Sequence, residues 1–209
     1  MTTQPSSSDA ATAPAWYPTK GINGNDLDFA HDTDGTLRAA CDAAASLVAD
    51  MQAGRPARWL TLTGNRGTGK TSLAAEIFAQ ATRINPGSAS LWMGPARRPG
   101  CVWLNETDFA NAIDGDARLP EYLAGDYLVV IDDLGTARER FDRIADALYR
   151  LSNRRLGKWM VWTSNLSQRE IEAKVDARLA SRLIRDGNTG VRITAPDYAL
   201  RSRKQSPAT

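Results

Sequence analysis

Histidine and cysteine are scarce in this chain. Among 209 residues there is one histidine, His31, and there are two cysteines, Cys41 and Cys101. We interpret His31 as a surface residue, which excludes zinc sites and catalytic triads that depend on histidine. Two cysteines so far apart in the sequence favour reduced packing residues over a disulfide or a metal site.

Long apolar runs are also missing. The longest run near the centre is Leu128-Val129-Val130-Ile131, which is far too short to cross a membrane. Residues 1–18 have neither the basic start nor the apolar block of a secretory signal. We therefore expect a cytoplasmic protein. The length fits one domain with a full core plus tails, and 42% hydrophobic and 24% charged residues are ordinary globular values.

The net charge is small, but it is unevenly distributed. The whole chain carries +2, whereas residues 138–204 hold 16 basic and 8 acidic side chains, a local net charge of +8. A basic half suits a polyanionic partner such as single-stranded DNA. From charge alone, a solvated arginine-rich surface is the simpler explanation.

One glycine-rich segment has a defined chemistry, since residues 64–71 fit the phosphate-loop pattern G-x-x-x-x-G-K-[ST]. A strand is predicted before it at Trp59–Thr63, and a helix with an apolar stripe after it at Thr71–Gln80. Loop N–H groups and the helix N-terminus bind phosphate, Lys70 reaches the β- and γ-phosphates, and the Thr71 hydroxyl ligates Mg²⁺. The residues predicted to bind ATP or GTP are Gly64, Asn65, Arg66, Gly67, Thr68, Gly69, Lys70 and Thr71.

Two aspartates follow a second apolar stretch. Tyr127–Ile131 predicts a strand buried on both faces, and Asp132 and Asp133 stand at its carboxyl end. We expect Asp132 to hold Mg²⁺ and Asp133 to polarise the attacking water. An aspartate pair that only caps the next turn is the alternative. Because the aspartate pair lies downstream of a phosphate loop, a role in hydrolysis is favoured over capping.

Polar residues in the basic half extend this pattern. Asn165 follows a predicted strand at Trp159–Thr163, and its amide reaches the γ-phosphate and the water if that strand lies between the other two. An ordinary turn residue fits the local sequence equally well. Arg178 and Arg182 are four residues apart, so a helix projects them from one face, where an arginine can enter a neighbouring subunit's site. A solvated basic face is the alternative.

The chain divides into three parts. Residues 1–20 are rich in Ser, Thr, Ala and Pro and are predicted to be a disordered tail. Residues 21–56 are predicted to be a helical segment, with a helix that follows Gly35 and Thr36 and ends at about Met51. Residues 57–209 form the predicted core, with an irregular surface insertion near 85–100. Its strands alternate with helices, which predicts an α/β fold, a parallel sheet with helices on both faces.

The order of these elements resembles the AAA+ ATPases, and within them the DnaC/IstB-like group of helicase loaders and transposition helpers. The resemblance spans about residues 28–203 and is carried by residues 64–71, 129–135, 163–167 and 178–183. It implies a P-loop NTPase fold of AAA+ type without a C-terminal lid domain. The roles implied are Walker A for Lys70 and Thr71, Walker B for Asp132 and Asp133, sensor 1 for Asn165, and an arginine finger for Arg182 with Arg178 beside it.

Two departures from that group's pattern stand out. Asp133 occupies a position where many AAA+ proteins have glutamate. Residues 196–201 look like the group's C-terminal Asp-x-Tyr-Arg element, which implies nucleotide contact by Arg201, but two residues separate Tyr198 from that arginine.

The resemblance implies a protein that loads a hexameric replicative helicase onto single-stranded DNA. ATP with Mg²⁺ would bind between self-associated subunits. A transposition helper on duplex DNA is the alternative with the same core, and the short Asp133 side chain permits a nucleotide-gated adaptor with little hydrolysis. A small-molecule kinase is disfavoured, since that class lacks the arrangement of Asn165 and Arg182.

Overall fold

The computed structural model describes residues 32–86, 99–136 and 141–196, with the side chains of 141–143 excepted. Five strands and seven helices lie within these ranges. In chain order they are α1 Thr36–Gln52, β1 Trp59–Gly64, α2 Lys70–Ile84, β2 Cys101–Asn105, α3 Glu106–Gly115, α4 Leu119–Leu123, β3 Leu128–Leu134, α5 Phe141–Arg154, β4 Trp159–Ser164, α6 Gln168–Lys174, α7 Ala177–Leu183 and β5 Thr189–Ile193.

The strands form one parallel sheet in the order β2-β3-β4-β1-β5. The strand before Asn165 therefore lies between the phosphate-loop strand and the acidic strand, which is the condition on which the prediction for Asn165 depended. Because all five strands run in the same direction, their carboxyl ends share one edge. Ligands of open α/β sheets bind at that edge.

Apolar side chains pack on both faces of the sheet. The α1 and α2 helices cover one face, with Leu47 and Ile77 fully buried there. The other five helices cover the opposite face, where Phe109, Leu148 and Leu179 are fully buried. The predicted three-layer α/β arrangement is therefore confirmed.

The α1 helix belongs to the same core as the phosphate-loop helix. It packs against α2 and β5, and its buried residues share one apolar cluster with those of α2. At its start, Thr36 Oγ1 accepts from the Thr194 N–H at 3.0 Å, just beyond β5. The start of α1 is thus fixed beside the carboxyl end of the sheet.

The acidic strand is longer than the sequence predicts. The prediction ended it at Ile131, whereas β3 continues through Leu134 and includes both aspartates. The pairing of β3 with β4 shifts register between Ile131 and Leu134, so β3 carries one extra residue there as a bulge. The helix that follows β3, α5, is described from Phe141 onward, and residues 137–140 lie outside the described ranges.

One buried arginine, at the amino ends of the strands, was not predicted from the sequence. Arg155 is 0% exposed, and its guanidinium donates to the carbonyl oxygens of Leu123, Asp126, Tyr127 and Trp159. Burial lowers its pKa to about 10. This side chain joins α4, β3 and β4 at the amino ends of the strands, far from the edge where ligands bind.

Both cysteines carry free thiols, as the sequence predicted. Burial raises the pKa of Cys41 to about 11 and that of Cys101 to about 12, so both favour the protonated thiol. Among the described residues, no helix is both long and apolar enough to span a bilayer.

Candidate nucleotide-binding site

The phosphate loop connects the end of β1 to the start of α2. Gly67 and Gly69 adopt φ angles of 69° and 89°, a left-handed region that glycine enters without strain. A Cβ on Gly64 would lie 2.1 Å from the carbonyl oxygen of Ile193, so a side chain has no room there. The first turn of α2, described in full, has no acidic residue and no side-chain cap, and its N–H groups suit an anion.

Lys70 points back into this loop. Its side chain is buried, and Nζ donates to the carbonyl oxygens of Gly64 at 3.0 Å and Asn65 at 2.6 Å. Burial lowers the pKa of Lys70, and the nearby charges of Asp133 and Asp132 oppose that shift. A poorly hydrated ammonium group beside glycine N–H groups is well placed to bind phosphate oxygens.

Oxygen donors suited to Mg²⁺ meet where α2 approaches β3. Thr71 Oγ1 donates to Asp132 Oδ1 at 3.1 Å, and Thr163 Oγ1 donates to the same carboxylate oxygen. Asp132 is 6% exposed, and its pKa is raised, mainly by burial. A divalent cation would favour its ionised form, and hydroxyl and carboxylate oxygens are ligands that Mg²⁺ prefers. The residues present therefore fit the ion.

In the described ranges, no group of three or more His, Cys, Asp or Glu side chains is arranged so that it could hold a metal ion by itself. Mg²⁺ in nucleotide sites is held by one or two carboxylates, with phosphates and water completing its shell. The site around Thr71 and Asp132 matches that pattern and differs from a metal cage built only from protein.

Asp133 lies at the bulge of β3 with a φ angle of 57°. Aspartate tolerates this left-handed conformation better than most residues, which gives a local reason for aspartate at this position. The Asp133 N–H donates to Thr163 Oγ1 at 2.9 Å, and Asn165 Nδ2 donates to Asp133 Oδ1 at 3.3 Å. The structure therefore brings together the two aspartates and the asparagine that the sequence singled out.

The two arginines of α7 share one face, as their spacing predicted, but they do not join this cluster. Both guanidinium groups lie over the ring of Tyr149, with Arg178 4.2 Å and Arg182 5.4 Å from its centroid. Arg178 also pairs with Asp176, the N-cap of its own helix, at 2.9 Å. Among the contacts of the described residues, neither arginine reaches the phosphate loop.

Three contacts of this region were missed from the sequence. Thr163 bridges the two aspartates, Tyr149 supports the arginine pair, and Glu106 is buried against the turn after β3. Each depends on residues distant in sequence; of the three, Thr163 stands at the end of a predicted strand. Arg201, predicted to bind nucleotide, lies outside the described residues.

No protein-family profile matches the sequence, and no curated protein matches it. The fold is nevertheless similar to several solved DNA-replication proteins. A DnaI structure has a TM-score of 0.62 at 18% identity over 89% of this chain and 94% of that one. The DnaC helicase loader has a TM-score of 0.57 at 17% identity, over 83% of this chain and 98% of that one.

A third similar structure is the replication initiator DnaA, bound to AMPPCP and single-stranded DNA. Its TM-score is 0.60 at 16% identity over 82% of this chain. The chain spans about half the length of this initiator and of a DNA replication initiation factor, 53% of each. At these identities the similarity shows the fold alone, and it confirms the predicted α/β fold with a parallel sheet between helices.

Proposed function

We propose that this chain is an ATPase of the DnaC/IstB-like group that loads a replicative helicase onto single-stranded DNA. The observation that carries the proposal is the bond between Thr71 and Asp132. It joins the phosphate loop to the acidic strand in one site that also contains Lys70. This pairing supports a site for a triphosphate with its metal ion, beyond simple anion binding.

Each side chain of the site has one role in the proposed hydrolysis. Lys70 and the loop N–H groups bind the phosphates. Thr71 and Asp132 would hold Mg²⁺, which would supply positive charge at the phosphate oxygens. Asp133 accepts a proton from the attacking water. The water oxygen bonds to the γ-phosphorus while the bond from that phosphorus to ADP breaks. Asn165, which already donates to Asp133, orients that water.

The arginine pair supports a site shared between copies of the chain. Arg178 and Arg182 lie on one face of α7 over Tyr149, and none of their contacts in the described ranges reaches the phosphate loop. We assign to Arg182 the role of a finger that enters the neighbouring copy's site and stabilises charge on the transferred phosphoryl group. Arg178 is the weaker candidate, because its guanidinium is paired with Asp176.

Similarity to the solved DnaC helicase loader, over 83% of this chain, supports a loader role. The 16 basic side chains of residues 138–204 suit the DNA backbone. The proposed partners are a hexameric helicase, single-stranded DNA and further copies of this chain.

Phosphate release from Mg·ATP, measured with and without DNA, tests the proposal. We expect turnover that single-stranded DNA stimulates more than duplex DNA does. Stimulation by duplex DNA alone would indicate a transposition helper, and tight ATP binding without turnover would indicate a nucleotide-gated adaptor. A pull-down from the source cell with ATP present then tests for the helicase, and recovery of no helicase would contradict the loader role.

A further inference from the structure

A third carboxylate lies buried beside the end of the acidic strand. Glu106, the first residue of α3, is 0% exposed. Its Oε1 accepts from the Gly135 N–H at 3.0 Å, and its Oε2 accepts from the Thr136 N–H at 2.6 Å. Bonds from N–H groups to a buried carboxylate are strong, because the charge has little other solvation. Glu106 therefore holds the backbone immediately after β3.

The β4 side of the sheet holds the same turn from the opposite direction. Ser164 Oγ donates to the carbonyl oxygen of Leu134 at 2.6 Å and accepts from the Leu166 N–H at 3.0 Å. Gly135 has a φ of 94°, and a Cβ there would lie 2.3 Å from Leu166 Cδ1. The turn is therefore confined between Glu106 and the residues that follow β4.

This turn is connected directly to Asp133. Thr136 Oγ1 lies 3.0 Å from the Asp133 carbonyl oxygen and 3.2 Å from Glu106 Oε2. Its single proton serves one of these acceptors at a time. A non-glycine residue at positive φ persists where its surroundings hold it there. The Thr163 hydroxyl accepts from the Asp133 N–H, and the turn that Glu106 binds comes directly after the Asp133 carbonyl.

We infer that Glu106 is a positioning residue for the hydrolytic step. By fixing the N–H groups of Gly135 and Thr136, it keeps the bulge of β3 in the conformation that presents the Asp133 carboxylate to Asn165. This inference rests on the proposed ATP hydrolysis and assigns a residue that neither the phosphate loop nor the acidic pair contains. Because its carboxylate binds the backbone N–H groups after β3, Glu106 acts through Asp133.

The Glu106→Gln variant tests this role. Glutamine has the same shape, but its amide nitrogen cannot accept a bond, so one of the two N–H groups loses its acceptor. We expect kcat for phosphate release to fall at least about tenfold, while the Kd for Mg·ATP stays within about twofold. The matched control is Asp108→Asn, an exposed change in the same helical turn, which leaves both values unchanged.

Amide exchange and a double variant separate positioning from general loss of structure. In Glu106→Gln, the N–H groups of Gly135 and Thr136 should exchange faster, while those of β1 keep their protection. Adding Glu106→Gln to Asp133→Asn should lower kcat by less than about twofold, because both changes affect one step. If the loss of kcat in the double variant equals the product of the two single losses, the inference is overturned.

Results for amide exchange and for phosphate release can each count against the inference. Unchanged exchange at Gly135 and Thr136, or full turnover in Glu106→Gln, would overturn the positioning role and leave the proposed function standing. Absence of phosphate release from the unaltered protein, with DNA present, would contradict the proposed function and this inference together.

Discussion

The hydroxyl of Thr71 lies 3.1 Å from Oδ1 of Asp132, across 61 residues of sequence. One residue belongs to the first turn of the phosphate-loop helix and the other to the acidic strand. A hydroxyl and a buried carboxylate so close together offer two oxygen ligands suited to a hard divalent cation. This pair connects loop and strand in one site.

Replacing Asp132 by asparagine should stabilise the protein and remove its metal dependence. Burial and the charge of Asp133 raise the pKa of Asp132, so its ionised form lowers the stability of the native state. Asparagine can still accept from Thr71 and Thr163. We expect the melting midpoint without nucleotide to rise by a few degrees, whereas Mg·ATP no longer raises it further. A lower midpoint in the variant would contradict this.

Replacing Gly64 by alanine should unfold or strongly destabilise the chain. The added Cβ would lie 2.1 Å from the backbone oxygen of Ile193, and backbone cannot move aside as a side chain can. We expect a loss of about 3 kcal/mol or more in the free energy of unfolding, measured with urea. The control is Gly115→Ala at the end of α3, where nothing lies within 4 Å; its change should stay within about 1 kcal/mol.

Arg182→Ala should separate binding from turnover. Because Arg182 does not reach its own phosphate loop, the Kd for Mg·ATP should change by less than about twofold. DNA-stimulated turnover should fall about a thousandfold if this arginine completes a neighbouring site. Arg185→Ala, an exposed change just beyond the same helix, is the control and should keep normal turnover. Normal turnover in Arg182→Ala would contradict the shared site.

The capping box of α6 should make the free energy of unfolding depend on pH in the acid range. The Ser167 N–H and the Lys174 ammonium lower the pKa of Glu170 to about 2, from an ordinary value of 4.5. A lowered carboxyl pKa gives stability that is complete above pH 4.5 and lost as the pH falls towards 2. Glu170→Gln should therefore be less stable than the parent at neutral pH. The difference should close in acid, and a difference independent of pH would contradict this.

The sequence predicted most of the elements because their signals are local. Short apolar runs such as Leu128–Ile131 indicate buried strands, and the phosphate loop has spacing that few other structures use. The capping box at the start of α6 is local too, since it joins Ser167 to Glu170. The candidate site was predicted by the same logic, because carboxyl ends of parallel strands share one edge.

What the sequence could not predict depends on contacts between distant segments. The extension of β3 through Leu134 arises from a bulge that is defined only by its pairing with β4. Glu106 meets the turn 29 and 30 residues later, and no periodicity encodes that contact. The same is true of Tyr149 under the arginine pair. The pairing of Arg178 with Asp176, the N-cap of α7, is local, but it was not predicted from the sequence.

Calorimetric titration with Mg·ATP, on the unaltered chain and on Lys70→Ala, directly tests whether the phosphate loop and the acidic pair form one nucleotide site. We expect one nucleotide bound per chain, and an affinity at least about a hundredfold weaker in the variant, because the buried charge that contacts the phosphates is lost. Circular dichroism checks that both proteins are folded. Absence of binding heat in the folded parent, or equal affinity in Lys70→Ala, would show that this site does not bind Mg·ATP.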